Sequence, residues 1–370
     1  MNSFVMKFIK GLLYKIFLLF IYSGNPQKKY FTGKEKSYLT KFLELFRWML
    51  RDNQFNFHYY AYGLNISGTD QNKYIGRSEF LFLQRKIEIQ ISKKYRFGGL
   101  SYEVLTKDKF INYTFLKSLH IPVVEVKRII KDHVLDLEGN IYPLESLFEV
   151  STPFVLKNTI LEYGEGFMLC YPDKGKNLIV NGKVLLFSEL KSKINSGIWI
   201  MQEVVESHPA IRKINNSALN TTRIVTILNG NKPQYLTGFQ SFATDNQIND
   251  SWGKGAVYVG LDVNNGCLKE FGYYHPSIPE KTVTSFHPDS QIFFKDYQLP
   301  YINEALEVCL KAHQFMFHQF VIGWDVAITD DGPMILEANE KPGMNAVQVI
   351  DGGMREIILS CFENTVKYYT

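Results

Sequence analysis

The stretch VIGWDVAITDDGPMILEANEKPG, residues 321–343, carries the strongest fold signal of the chain. Two apolar runs flank an Asp-Asp-Gly turn, which predicts a β-hairpin. If the turn is symmetric about Asp331, Asp325 lies directly opposite Glu337. Asn339 then shares the face of Glu337, because side chains alternate along a strand. The other face is predicted to be apolar and to consist of Trp324, Val326, Ile328, Met334, Leu336 and Ala338.

Two carboxylates that face each other repel and destabilise a hairpin unless a cation offsets their charge. Mg²⁺ is a suitable cation, because it prefers oxygen ligands, uses few protein carboxylates and completes its shell with water and substrate phosphate. The hairpin therefore indicates a nucleotide–metal site. The alternative is a solvated hairpin with ordinary surface acids.

Composition places the chain among globular proteins with a sizeable core. It has 370 residues, of which 45% are hydrophobic and 21% charged, enough for two or three subdomains. The net charge of +4 is too small to indicate a nucleic-acid partner. The four cysteines are widely spaced and form no Cys-x-x-Cys pair, which argues against zinc or a disulfide framework and suits a reducing compartment.

Residues 1–34 contain six lysines and no acid, and an apolar run fills the space between the lysines. Lys7, Lys10 and Lys15 interrupt that run, which disfavours a spanning helix, and residues 23–25 make a poor signal-cleavage site. We predict a basic apolar helix whose residues 4–22 lie in the interface of an anionic leaflet. The alternative is a helix packed on the body of the protein or on a partner.

Helical periodicity dominates the next region, and strands appear only later. Three- and four-residue spacing of apolar residues predicts helices over 35–51 and 76–92. Strand and helix signals alternate beyond about residue 105, and two further helices are predicted over 303–319 and 355–368. A mainly helical N-terminal region therefore precedes a mixed region.

Two segments of the mixed region have features of a nucleotide site. Residues 157–171 read as strand, glycine loop and strand, so that Lys157 and the amides near Gly164 and Gly166 are available to phosphate oxygens. Residues 202–205 end another strand and offer backbone groups to an adenine edge. Each segment taken alone also fits an ordinary turn or strand exit.

Arg223 stands at the entry of an apolar strand, in the run LNTTRIVT, residues 219–226. A buried or half-buried arginine normally has an anionic partner. The sequence leaves two partners open, a carboxylate of the protein or a phosphoryl group in transfer.

The order of these elements resembles the ATP-grasp superfamily over about residues 105–350. The resemblance is carried by the runs LNTTRIVT, HPDS (287–290) and GWDVAITDDGPMILEAN (323–339). It is closest to the sugar-transfer-associated branch, which is related to alpha-L-glutamate ligases. It implies an α+β, ATP-grasp fold in which two α+β subdomains clamp a nucleotide. We expect an arm over 1–34, a helical region over 35–104 and an ATP-grasp domain over 105–370, with lobes 105–200 and 201–370.

The resemblance also implies roles for individual residues. Arg223 and Lys341 are the expected catalytic cations, and Lys341 stands where many members have arginine. The expected Mg²⁺ ligands are Asp325, Glu337 and Asn339. ATP is expected to contact Lys109, Lys157, Gly164, Gly166, Gln202, Glu203 and Val205.

The implied reaction joins a carboxylate to an amine at the expense of ATP. The carboxylate attacks the γ-phosphorus, and the amine displaces phosphate from the resulting acylphosphate. We expect sugar-linked or amino-acid substrates in surface polysaccharide synthesis, in the cytoplasm at the inner face of the membrane. Two alternatives remain, an ATP-dependent sugar kinase of the same fold and a non-catalytic nucleotide-binding scaffold for a membrane glycosyltransferase.

Overall fold

The N-terminal region of the chain is helical, as predicted. The computed structural model describes residues 3–24, 30–96, 102–161, 166–173 and 177–370, except for the side chains of residues 3–9 and 12. Ser37 caps the second helix by accepting the N–H of Thr40, which fixes where that helix starts. The helices are α1 (Ser3–Gly24), α2 (Tyr38–Asp52) and α3 (Arg77–Tyr95). In the described ranges, no helix has the length and apolarity needed to cross a membrane.

An eight-stranded sheet follows, with the strand order β3-β2-β1-β8-β4-β5-β6-β7. Every neighbouring pair in it is antiparallel. Its helices are α4 (Val104–Lys107), α5 (Lys109–Ser118) and α6 (Phe187–Ile194). Its strands are β1 (Val126–Ile130), β2 (His133–Leu135), β3 (Ile141–Pro143), β4 (Phe154–Asn158), β5 (Phe167–Pro172), β6 (Leu178–Val180), β7 (Lys183–Leu185) and β8 (Ile198–Glu203).

A second sheet of seven strands is built by the rest of the chain, in the order β13-β12-β11-β10-β9-β14-β15. Its strands are β9 (Thr222–Asn229), β10 (Lys232–Phe242), β11 (Val257–Asp262), β12 (Cys267–Tyr273), β13 (Val283–Thr284), β14 (Val321–Thr329) and β15 (Gly332–Asn339). The helices around it are α7 (Pro209–Ile214), α8 (Ile302–Phe315), α9 (Met344–Asp351) and α10 (Arg355–Tyr369). Helices with two mainly antiparallel sheets confirm the α+β class, while the predicted domain limits stay predictions.

The seven-stranded sheet is buried on both faces. Cys309 and Met316, in and just after α8, pack with Trp324 of β14 in one core. Ile87 of α3 and Ile358 of α10 pack on the other face in a second core. Burial on both sides fixes the strand register, because a shift by one residue would exchange the two sets of side chains.

The hairpin β14–β15 contains a bulge that the sequence did not reveal. From Thr329 to Val326 the register is that of a two-residue turn, and between Val326 and Asp325 it shifts by one residue, which leaves Leu336 as the extra residue. The predicted pairing of Asp325 with Glu337 is therefore confirmed, although the turn is not symmetric about Asp331. The predicted apolar face is partly wrong, because Ile335 takes the core position and Leu336 and Met334 are only half-buried.

The two sheets meet beside this bulge. The N–H of Ile335 donates to the carbonyl of Pro122 at 2.9 Å, and Val123 forms a parallel bridge with Ile335. Pro122 and Val123 lie between α5 and β1, so β15 of one sheet touches the segment that leads into the other. This contact brings the acids of the hairpin next to the start of α5.

Candidate functional site

The acids of the hairpin form the centre of the candidate site. Asp325 of β14 is paired with Glu337 of β15, and both side chains are only partly exposed. Asn339 lies two residues further along β15. Its Nδ2 donates to Asp325 Oδ2 at 3.1 Å and to Glu337 Oε1 at 3.4 Å. Two carboxylates and one amide therefore converge on the same side of the hairpin.

Arg223 completes one side of this cluster. It faces Asp325 across the β9–β14 ladder, and its Nε donates to Asp325 Oδ1 at 2.6 Å. Its Nη1 donates to the carbonyl of Pro342 at 3.1 Å, and its guanidinium lies 5.9 Å from the centre of the Phe239 ring. Of the two partners that the sequence left open, the structure contains the protein carboxylate. Within the described residues, Nη2 makes no hydrogen bond.

Lys109 approaches the cluster from α5, the helix that precedes β1. The carboxylate of Asp108 accepts the N–H groups of Phe110 and Ile111, which caps α5 and places Lys109 at its first position. The ammonium of Lys109 lies 3.7 Å from Glu337 Oε2 and donates to the carbonyl of Leu161 at 2.8 Å. The site is therefore bounded by groups from the hairpin and from α5.

Lys157 is the second cation on this side and lies on β4. Burial lowers its pKa, while the carboxylates of Glu337 and Asp325 act in the opposite direction and the ammonium of Lys109 adds to the lowering. A desolvated ammonium next to another ammonium is stabilised by additional negative charge. Lys109 and Lys157 together thus favour an anion between the hairpin and β4.

The two acids respond differently to this environment. Burial raises the pKa of Asp325 above its usual value, and the Glu337 carboxylate adds to the increase while the Arg223 guanidinium opposes it. Burial acts in the same direction on Glu337, but Lys109 and Lys157 outweigh it and hold the pKa of Glu337 below its usual value. Because the acids share one face, the charge of one depends on that of the other.

A shallow recess opens next to the cluster. It brings together Lys109, Lys157 and the side chain of Gln202, and Leu336 of the bulge forms part of its wall. The other lining residues are Asn112, Tyr113, Val123, Val124, Val126, Ile200 and Ile335. Apolar side chains and two cations in one recess are suited to a ligand with a flat apolar part and an anionic part.

Several predicted residues lie outside this cluster. Gly166 has φ of +68° and closes the β4–β5 turn, where its carbonyl accepts the N–H of Asn158, while Gly164 falls outside the described residues. Glu203 ends β8 in an exposed position, and Val205 follows the end of that strand and is half-buried. The ammonium of Lys341 pairs with Glu340 at 3.0 Å and is not brought to Asp325 or Glu337.

Asp250 has no role predicted from the sequence, but it lies near the site. Its Oδ2 accepts the N–H and the hydroxyl of Thr221, both at 2.7 Å, and the hydroxyl of Ser241. It also acts electrostatically on Lys157 and so lies on the same side as the cations. Its only sequence signal was its position before the glycine-containing run of residues 251–255, because its partners belong to strands distant in the chain.

The acids of the hairpin fit a magnesium ion on the chemistry of their donors. Among the described residues, no group of three or more His, Cys, Asp and Glu side chains is arranged to hold a metal. Two carboxylates suit Mg²⁺, because this ion fills most of its shell with water and phosphate oxygens. A half-turn of the Asn339 amide would present its oxygen in place of Nδ2. Asp325, Glu337 and Asn339 can therefore serve as its protein ligands.

Comparison with solved structures finds similar proteins at low sequence identity. A D-alanine–D-alanine ligase from Coxiella burnetii has 10% identity and a TM-score of 0.40 over 72% of this chain and 58% of its own. N5-carboxyaminoimidazole ribonucleotide synthetase from Thermotoga maritima has 14% identity and a TM-score of 0.38 over 70% and 49%. An L-amino acid ligase from Bacillus licheniformis has 12% identity and a TM-score of 0.41 over 75% and 52%. The chain thus spans between half and three fifths of these three structures.

Comparison with curated protein sequences gives no match. Comparison with protein families gives one that covers most of the chain, the family described as sugar-transfer associated ATP-grasp, at residues 95–360. This confirms the resemblance over 105–350 and extends it at both ends, and it confirms the ATP-grasp fold. The chain belongs to the sugar-transfer associated ATP-grasp family.

Proposed function

We propose that the chain is an ATP-dependent ligase that joins a carboxylate to an amine through an acylphosphate. The observation that carries this proposal is a row of four charged side chains, in which two cations flank two carboxylates: Arg223 lies 2.6 Å from Asp325, and Lys109 lies 3.7 Å from Glu337. Such an arrangement can hold phosphate oxygens and a divalent cation together. Family membership supports the nucleotide, and the named ligases among the similar structures supply the reaction class.

The residues around the recess would divide the work of holding ATP. Lys109 and Lys157 would bind the phosphates, which supply the negative charge that the desolvated Lys157 lacks. The adenine would lie against the apolar wall, with backbone groups of residues 202–205 at its edge. Gly164 and Gly166 would belong to a loop over the phosphates.

Asp325, Glu337 and Asn339 would hold Mg²⁺, which would neutralise charge on the transferred phosphoryl group. Arg223 would orient and stabilise the acylphosphate through Nη2, the guanidinium nitrogen without a partner among the described residues. Lys341 would need to leave Glu340 to take part. The chain's contribution is positioning and charge neutralisation, because phosphoryl transfer needs little covalent chemistry from the protein.

We further propose that this reaction modifies a sugar-linked or amino-acid component in surface polysaccharide synthesis, in the cytoplasm at the inner face of a membrane. The family description associates the fold with sugar transfer. The N-terminal residues 4–22 would supply peripheral membrane contact. The division into an arm, a helical region and two lobes of 105–200 and 201–370 belongs to this proposal, since strands of one sheet end at Glu203 and those of the other begin at Thr222.

The test is release of ADP from ATP and Mg²⁺ in the presence of paired carboxylates and amines. A ligase releases ADP only when a carboxylate is present and forms an amide only when an amine is added. Formation of a stable phosphorylated sugar with no amine requirement would replace the ligase with the sugar kinase. If the chain binds the nucleotide but turns over no carboxylate–amine pair, the non-catalytic scaffold would be the remaining function.

A further inference from the structure

Helices α1 and α2 form an antiparallel helical hairpin. The ammonium of Lys15 donates to the carbonyl of Asn53, just beyond the end of α2, at 2.9 Å. The ring of Phe20 lies 5.3 Å from that of Phe42, and Gly24 lies against the ring of Tyr38. Contacts therefore run in opposite order along the two helices. We call residues 3–24 with residues 38–52 the helical hairpin.

The inner side of the helical hairpin is an ordinary core. Leu18 and Leu19 of α1 are buried with Leu45, Trp48 and Met49 of α2. This cluster continues into the aromatic residues Tyr59, Tyr60 and Tyr62 and reaches Trp252. The helical hairpin is thus fixed to the body of the protein, which the sequence had left as an alternative to membrane contact.

The outer side is unusually apolar for a surface. On α1, Leu13, Phe17 and Phe20 are each more than half exposed. On α2, Leu39 and Leu50 are 64% and 68% exposed, and Leu43 and Phe46 between them are exposed too. These positions follow helical spacing, so each helix turns one continuous apolar stripe away from the body.

The two stripes are joined into one surface. The ring of Phe42 lies 5.3 Å from Phe20 on α1 and 6.5 Å from Phe46 on α2, so three aromatic rings connect the outer faces. Exposed apolar side chains scattered singly are normal on proteins, but a contiguous patch indicates an interaction surface.

The charges that α1 and α2 themselves present on this outer side are of one sign. Residues 1–34 contain six lysines and no acid. Glu44, in the middle of α2, turns inward to Lys36 at 2.8 Å and to the hydroxyl of Tyr59, and Asp52 is buried. Lys10 and Arg47 are exposed on the outer stripes. The outer side therefore combines apolar side chains with positive charge and presents no acid from either helix.

We propose that the helical hairpin is a two-helix docking surface for an anionic lipid bilayer, lying flat in the headgroup region with α2 contributing as much as α1. An anionic leaflet supplies both an apolar phase for the stripes and negative charge for the lysines. The long side chains of Lys10 and Arg47 extend to the headgroups while the neighbouring Leu13 and Phe46 enter the lipid. The inference rests on the proposed location at a membrane face and extends it from residues 4–22 to α2.

The test measures binding of the full chain to vesicles without any nucleotide. Protein is sedimented with vesicles of neutral phosphatidylcholine, or with vesicles that also contain phosphatidylserine. The test variant is L43E with F46E, on the outer side of α2. The matched control is V184E with L186E, two exposed apolar residues of the eight-stranded sheet region given the same charges. Circular dichroism verifies that each variant is folded.

We expect the wild type and the control to bind anionic vesicles more tightly than neutral ones, and L43E with F46E to lose at least about tenfold in partition coefficient. K10Q or R47Q is expected to cost about fivefold each on anionic vesicles only. Equal binding of the α2 variant and the control would overturn the proposal. So would absence of vesicle binding together with a wild-type dimer that L43E with F46E dissociates, because the surface would then join two copies of the chain.

Failure of this test is separable from failure of the ligase proposal. The vesicle assay contains no ATP, and the ADP-release assay contains no lipid. If the chain releases ADP but does not bind vesicles, only the docking-surface proposal is refuted. If it binds vesicles but has no turnover, only the ligase proposal is refuted.

Discussion

Asp52 and Asp325 are both acids in interiors, and burial raises the pKa of each. Asp52 lies at the end of α2, where its Oδ1 accepts the N–H groups of Ser78 and Glu79 at 2.7 and 3.1 Å. Those donors belong to the first turn of α3, whose N–H groups have no partner within the helix, so the carboxylate of Asp52 finds its hydrogen-bond donors in the chain itself. Asp325 also has a partner, Arg223, but it faces a second carboxylate across the ladder.

Asp52 therefore stabilises the fold, whereas the fold keeps Asp325 next to a second carboxylate. Removing Asp52 leaves helix amides unpaired, which costs stability. Removing Glu337 relieves its repulsion with Asp325 but also takes a carboxylate from Lys109 and Lys157, so the two effects on stability partly cancel. We infer that the acids of the hairpin serve to bind a ligand. The substitutions below test this difference between Asp52 and the hairpin acids.

The largest effect is expected for Glu337→Ala. Loss of one carboxylate removes a magnesium ligand, and we expect ADP release to fall by at least about a thousandfold. The free energy of unfolding should change by no more than about 1 kcal/mol, because the relieved repulsion with Asp325 and the lost ion pair with Lys109 oppose each other. Chemical denaturation and an ADP-release assay measure the two. Asp331→Ala removes an exposed acid from the turn of the same hairpin and serves as the control. Equal activity loss in both variants would refute the assignment.

The opposite result is expected for Asp52→Ala. Two helix amides lose their acceptor, and we expect the free energy of unfolding to fall by about 2–3 kcal/mol. The ADP-release rate per folded molecule should not change. Denaturant titration followed by activity at low denaturant provides both values. A large drop in activity without loss of stability would show that Asp52 serves the reaction, and it would contradict the difference between Asp52 and the hairpin acids.

A smaller effect is expected for Lys157→Met. Burial of this ammonium is unfavourable in the free protein, so the substitution should leave stability unchanged or raise it slightly. The affinity for an ATP analogue should fall about tenfold, because one phosphate contact is lost. Titration calorimetry measures the affinity. Lys232→Met, at an exposed position of β10, is the matched control and should bind as the wild type does.

The smallest effect is expected for a substitution of His313, which lies behind the hairpin. His313 contacts the hydroxyl of Thr226 at 2.7 Å and the carbonyl of Gln319 at 2.9 Å, and Trp324 donates to the same hydroxyl. Burial lowers the pKa of His313 to about 4. Between pH 4 and about 6.5 the unfolded chain therefore binds a proton that the folded chain does not, and stability falls as the pH is lowered through this window.

The contribution of His313 is at most about 1.4 kcal/mol per pH unit. We expect His313→Gln to be less stable at neutral pH but to show a shallower loss of stability from pH 6.5 to 5. Denaturant titrations at several pH values measure that slope. An unchanged slope would mean that His313 does not stay neutral in the folded chain.

Much of the hairpin could be predicted from sequence, because its information is local. A turn assumed to be symmetric about Asp331 places Asp325 opposite Glu337, and the actual two-residue turn gives the same pairing only because of the bulge at Leu336. The bulge at Leu336 could not be predicted, since it lies where Ile335 contacts Pro122, a residue more than 200 positions away in the segment before β1. The same bulge turned Leu336 from the predicted core toward the recess.

Contacts between strands that are distant from each other in the chain could not be predicted from the sequence. The salt bridge of Arg223 with Asp325 joins residues 102 positions apart, and the register of β9 against β14 is needed to place it. Asp250 was missed for the same reason. Lys341 was assigned from the family pattern, but its nearest acid is the adjacent Glu340, and local charge decides where a flexible ammonium points.

The most direct test of the central claim is calorimetric titration of a non-hydrolysable ATP analogue, with and without Mg²⁺, into wild type, Glu337→Ala and Asp331→Ala. We expect tight binding that requires Mg²⁺ in the wild type and in Asp331→Ala, and loss of the Mg²⁺ requirement together with most of the affinity in Glu337→Ala. Binding that is insensitive to Mg²⁺ in the folded wild type, or equal in all three proteins, would contradict the assignment of the hairpin acids to a metal–nucleotide site.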